Sequence, residues 1–212
     1  MSLLEHLKAL VAKQRAYASF FKLGSKAHEE LTVVENLLES MRTRGEVKYS
    51  GARLAPLDPP DCIAQTADGD TLPVAIEVTE LVCEDSVRIN ARQDREAMRR
   101  MEPGVAVMRA WDKQDFIGHI AARLEDKDSK KLKGGPYEKY IVAIHTDEPL
   151  LEPDQCMAWL RDYTFGPFRQ IAEAYLLFSY MPGKGYEYIT LAVGSDKAMH
   201  ATRETRAPDA GV

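Results

Sequence analysis

Two acids, Asp61 and Glu77, are the side chains best placed to do chemistry. Asp61 follows the run Leu57-Asp58-Pro59-Pro60, and Glu77 sits inside Leu72–Val82, a stretch otherwise rich in apolar and β-branched residues. Two prolines cannot lie within a central strand, so a strand should start at about Asp61 and run to residue 66. Ala67-Asp68-Gly69-Asp70 is a turn signal, and residues 72–82 then return as the antiparallel partner. The two acids thus fall on neighbouring strands. An ionised Glu77 among Val74, Ala75, Ile76 and Val78 is costly to bury unless it is paired or bound to a cation. Two carboxylates converging there repel each other, and a hard divalent ion relieves that. Mg²⁺ (or Mn²⁺) takes one or two carboxylates plus waters and substrate phosphates. Such an ion activates water and stabilises charge on a phosphoryl group. The bland alternative keeps Glu77 on the exposed face of an edge strand, with Asp61 merely following a proline turn.

Arg88, Arg92, Arg95 and Arg99 recur at i, i+4, i+7 and i+11 directly after this hairpin, with Arg100 beside them. On a helix they share one face, and guanidinium arrays suit phosphate backbones. A solvated face partly neutralised by Asp94 and Glu96 is the competing reading. Lys127, Lys130, Lys131 and Lys133 form a second basic cluster. The five histidines are scattered without HxxxH or HExxH spacing, and Cys62, beside Asp61, reads as a buried thiol.

The elements that must position these groups follow from periodicity. Residues 3–23 carry an amphipathic helix, and Ser25 to Thr43 a second one with Leu31, Val34, Leu38 and Met41 on one stripe and Gly45 as the stop. Residues 46–57 look extended. A polar helix spans about Ser86–Met101, and another about Lys113–Lys131 with Asp112 as its cap. Tyr140–His145 reads as a buried strand. Pro153–Tyr163 suggests a helix. Ala174–Tyr180 and Tyr186–Val193 suggest strands around the turn Pro182-Gly183-Lys184-Gly185.

The chain has 212 residues, 45% hydrophobic and 29% charged, which excludes disorder and a fibrous repeat. Its net charge of -5, from 28 basic and 33 acidic residues, argues against a polyanion-binding surface all round. Three widely spaced cysteines argue against a disulfide framework or a structural zinc site. No apolar run reaches the roughly 20 residues that a membrane span needs. MSLLEHLKALVAK reads as a helix rather than a signal peptide, so the expected location is cytoplasmic. The expected organisation is an N-terminal helix (1–24), one mixed α/β domain (25–200) and a loose polar tail (201–212).

With these residues in place, the chain resembles the PD-(D/E)xK nuclease superfamily. Pro60-Asp61 matches the PD element and Glu77-Val78-Thr79 the (D/E)xK element. The order helix, strand, hairpin, strand, helix, strand over 25–145 matches its core. It looks in particular like a bacterial branch with a PPD motif, an IEVTEL strand and a lysine-containing helix before an apolar strand. The resemblance covers about two-thirds of the chain through short motifs. It implies a restriction-endonuclease-like fold, a mixed central sheet flanked by helices, and Mg²⁺-dependent phosphodiester hydrolysis in DNA or RNA. Asp61 and Glu77 would be the metal ligands, with Glu30 or Glu35 as the acid from the preceding helix. Thr79 stands where the family has its motif lysine. Either activity is lost, or a lysine arrives from elsewhere. Lys127 and Lys131 continue the stripe of Ile117, Ile120 and Leu124 and are the candidates, although lysines also favour helix C-termini for their own sake. The alternatives are a degenerate scaffold that binds nucleic acid or protein without cleavage, and a structural subunit that forms a homodimer through residues 1–23.

Overall fold

Alternating apolar residues decide which helix each strand faces. The computed structural model describes residues 26–69, 72–83 and 110–195. The expected helices at 1–24 and 86–101, the latter with Arg88, Arg92, Arg95 and Arg99, and the tail 201–212 lie outside the described residues. Helix α1 is Lys26–Thr43, followed by β1 (Tyr49–Leu54), β2 (Cys62–Thr66) and β3 (Val74–Glu80). Then come α2 (Lys113–Ser129), β4 (Tyr140–Thr146), α3 (Pro153–Leu160), β5 (Phe165–Phe168), β6 (Ile171–Phe178), β7 (Tyr188–Leu191) and β8 (Val193–Ser195).

The protein is mixed α/β, with three helices and a mixed six-stranded sheet in the order β1-β2-β3-β4-β6-β7 among the described residues. Strands β3, β4 and β6 run parallel, while β1, β2 and β7 add antiparallel edges. β5 and β8 form a separate parallel pair that the periodicity does not announce. The even-numbered residues of β3, Val74, Ile76 and Val78, join Val33, Val34, Leu37 and Met41 of α1 in one core. Ala75, on the other face, joins Phe116, Ile117, Ile120 and Leu124 of α2 and Cys156 and Leu160 of α3. The sheet is therefore sandwiched, with α1 on one side and α2 and α3 on the other. β4 lies between two parallel neighbours, which accounts for its nearly unbroken apolar run. No helix among the described residues is long and apolar enough to cross a membrane.

Local chemistry sets the helix ends. Gly45 adopts φ +79°, and the Gly45 and Glu46 amides donate to the Arg42 and Met41 carbonyls. This is a Schellman stop, which needs a left-handed residue and so favours glycine. Asp112 caps α2 by accepting from the Asp115 amide at 2.8 Å. α2 ends at Ser129, two residues short of the expected 131, because Lys130 is extended at φ −75°, ψ 145°. α3 likewise stops at Leu160 rather than Tyr163.

Candidate functional site

β2 and β3 pair as Cys62↔Ile76, Ile63↔Ala75 and Ala64↔Val74. Carrying that register on by one residue sets Asp61 opposite Glu77. The Val78 amide donates to Asp61 Oδ2 at 2.7 Å, which fixes the carboxylate at the mouth of the hairpin. Glu77 is 1% exposed and shares the odd-numbered, α2-facing side of β3 with Ala75.

Two lysines meet it there. Lys127 Nζ donates to Glu77 Oε1 at 2.8 Å and Lys130 Nζ donates to the same oxygen at 3.0 Å. Lys127 is itself buried. Glu77 Oε2 is buried and has no hydrogen-bond partner among the described residues. Lys131 is exposed. The 3–4 spacing pointed to it, but the chain leaves the helix at Lys130, and that turn sends Lys130 rather than Lys131 to the carboxylate. The sequence offered no signal for Lys130 beyond its place in a basic cluster.

Glu30 is buried on the first turns of α1 and pairs with Lys26 at 3.0 Å, whereas Glu35 is exposed. The bond to Glu30 lifts the Lys26 ammonium above its usual range. Asp61 feels both acids: burial first, and then the Glu77 and Glu30 carboxylates, push its carboxyl up to about 6, against the pull of the Val78 amide and Lys127. Burial pulls the Lys130 ammonium down, but its bond to Glu77 and the nearby acids outweigh that and leave it above the ordinary lysine value. Thr79 is half-buried two residues beyond Glu77 and brings no charge. Burial, aided by the charges of Asp61 and Glu30, pushes the Cys62 thiol up to about 12, which removes it as a nucleophile at neutral pH.

The loops that frame this pocket of charge are tied together. The Lys133 amide donates to the Pro59 carbonyl at 2.8 Å and its ammonium reaches the Asp58 carbonyl. The PPD turn is thereby fastened to the segment leaving α2, so the element carrying Asp61 and the element carrying the lysines are held in one frame.

The residues fit a hard dication in one respect. A buried, unpartnered carboxylate oxygen on Glu77 and a neighbouring carboxyl raised by burial and then by like charge are both relieved by a cation. No three Asp, Glu, His or Cys side chains among the described residues gather as a metal-holding group. Two carboxylates are enough for Mg²⁺, which completes its shell with waters and phosphates. No family model, curated protein or solved structure matches this chain.

A second group of acids lies where β3 and β4 end, and neither spacing nor motif points to it. Burial, reinforced by Asp147, pushes Glu80 up to about 7 while Arg123 opposes. Burial and Glu148 push Asp147 up to about 6. A carboxyl raised from 4.5 to about 7 keeps its proton in the folded state where the unfolded chain has lost it. The folded state then binds more protons across that window, so stability falls as pH rises through it. His145, pushed down to about 4 by burial, works in the opposite sense below its ordinary 6.5. Replacing Glu80 isolates its share. Glu80→Gln should gain thermal stability relative to wild type, and the gain should widen between about pH 5 and about pH 8. A difference in Tm that stays flat with pH refutes the assignment.

Proposed function

We propose that the chain is a Mg²⁺- or Mn²⁺-dependent phosphodiester hydrolase of nucleic acid, built on a restriction-endonuclease-like core. The observation that carries this reading is the meeting of Asp61, Glu77 and Lys127 at one point of the β2–β3 hairpin. Asp61 and Glu77 would hold the ion, Asp61 through the oxygens left beyond its amide bond and Glu77 through Oε2. A bound Mg²⁺ supplies charge neutralisation at the phosphoryl oxygens and a more acidic water. Lys127 stands in for the lysine missing at Thr79. Its ammonium, anchored on Glu77 Oε1, holds a positive charge beside the reacting phosphate. Glu30, buried on α1, would add a third negative charge that Asp61 feels. Lys130 and Lys131 extend the positive field towards solvent, where a phosphate backbone would lie.

A second reading has its own observation. The three acids Glu77, Asp61 and Glu30 stand against three lysines, with Lys127 and Lys130 both on Glu77 Oε1 and Lys26 on Glu30. A site balanced this way suits a scaffold that binds nucleic acid or a protein without cutting. Two measurements on the full chain separate the readings. Calorimetric titration with Mn²⁺ should show binding that Asp61→Ala and Glu77→Ala abolish. Digestion of plasmid and of RNA oligonucleotides with Mg²⁺ or Mn²⁺ should show cleavage that both substitutions remove. No Mn²⁺ binding and no cleavage by the wild type would leave the scaffold reading.

A further inference from the structure

The last turn of α2 is held by a segment forty residues further on. Helix C-termini leave carbonyls without intrahelical partners. Here the Gln170 side-chain amide donates to the carbonyls of Asp128 and, at 2.8 Å, Lys130. In return Asp128 Oδ1 accepts the Gln170 and Ile171 amides at 2.8 and 3.2 Å, and Oδ2 accepts the Arg169 amide at 3.0 Å. The Tyr140 hydroxyl adds a bond to the Lys127 carbonyl at 3.3 Å. The turn between β5 and β6 thus grips both backbone and side chain of residue 128, which lies between the two lysines on Glu77.

We propose that Gln170 and Asp128 are positioning residues that fix where the Lys127 and Lys130 ammoniums stand on Glu77. The geometry explains why a long, flexible side chain needs them. A lysine stem has many rotamers and its head is a point charge, so its reach is set by where its backbone is held. Lys127 leaves from inside the helix and Lys130 from the extended residue after it. Both reach one oxygen across the point where the backbone leaves the helix. Gln170 spans that bend, with one amide hydrogen available for the carbonyl on each side of it. The contribution to cleavage rests on the hydrolase reading; the grip on the two lysines does not.

The test reads lysine placement directly. The full-length chain is acylated with a limiting N-hydroxysuccinimide ester, and labelling at each lysine is measured by mass spectrometry against exposed Lys113. Gln170→Ala removes both donors. Gln170→Glu keeps the shape but sets a carboxylate against two carbonyls. Labelling of Lys130 should rise about three- to tenfold in both, the scale expected when hydrogen bonds of ordinary strength are lost. Lys184→Ala, on an exposed turn outside this contact, should leave it unchanged. Thiol reactivity of buried Cys62 and Cys156 controls for unfolding and should stay as in wild type. Unchanged Lys130 labelling in both Gln170 variants overturns the proposal, as does a rise that appears only together with thiol exposure. Where the wild type cleaves, Gln170→Ala should lower kcat more than it raises KM, and an unchanged kcat overturns the catalytic part. A labelling response in a protein that never cleaves keeps the positioning and defeats the hydrolase reading. Cleavage in a protein whose labelling ignores Gln170 does the reverse.

Discussion

Asp61→Asn is expected to fold at least as well as the wild type and to lose metal-dependent cleavage. The two halves of that result have different causes. Asparagine keeps an oxygen for the Val78 amide, so the hairpin retains the bond that now fixes Asp61. It removes a carboxyl that burial, Glu77 and Glu30 together push up to about 6. Deleting a charge held against its neighbours should leave Tm unchanged or raise it. The same deletion halves the pair of carboxylates available to a dication. Losing an outer-shell partner of a metal site typically costs about 10–100-fold, so a direct ligand should cost about a hundredfold or more. Cleavage of plasmid in Mg²⁺ and Mn²⁺, measured beside thermal melts of the same preparation, checks both parts. Cleavage at the wild-type rate would remove Asp61 from the reaction. A large drop in Tm would show that its charge supports the fold instead.

The hairpin that brings Asp61 to Glu77 is legible in the chain because its signals are local. Two prolines set where β2 can begin, Asp68-Gly69 marks the turn, and the β-branched run of 74–82 supplies the partner strand. The face of α2 follows from the spacing of Ile117, Ile120 and Leu124 in the same way, whereas on α1 the stripe of Leu31, Val34, Leu38 and Met41 is half right: Val34 and Met41 are buried with Val33 and Leu37, and Leu31 and Leu38 are only partly buried. Three features depend on partners distant in sequence and are not legible. The insertion of β4 between β3 and β6 is decided by pairings about 65 and about 32 residues apart. β5 and β8 are short, and Gly166-Pro167 interrupts any alternation in the first of them. The exchange of Lys131 for Lys130 has the same origin. No glycine or proline lies between Gly118 and Gly134, so a reading from periodicity runs α2 on to 131, whereas the helix end that forms is bonded to Gln170, forty residues further on. The acids at Glu80 and Asp147 escape notice for a related reason: each is unremarkable among its sequence neighbours, and only burial makes it unusual.

Removing the carboxylate of Glu77 should have the largest effect on stability. Glu77 lies at 1% exposure and is the shared acceptor of two ammoniums. Glu77→Ala leaves Lys127, whose side chain is 10% exposed, without that acceptor. Breaking a buried pair by deleting one partner costs about 3–5 kcal/mol, because the remaining charge must be neutralised or rehydrated. Lys127→Met should cost less, about 1–3 kcal/mol, on the scale of one hydrogen bond to a charged group. Lys130 still reaches the same oxygen in that variant, so Glu77 keeps a counter-charge. Glu77→Leu combined with Lys127→Met should recover most of the loss, since well-packed apolar residues often replace a buried ion pair without penalty. Lys130, with its side chain 36% exposed, can then turn to water. Urea unfolding of the three variants, with midpoint and slope fitted separately, gives the ranking. A Glu77→Ala cost below about 1 kcal/mol, the level of an exposed ion pair, would mean that Lys127 and Glu77 do not depend on each other for burial. The lysine would then lose its claim to be fixed beside the carboxylates. Equal costs for Glu77→Ala and Lys127→Met would instead make Lys130 a bystander.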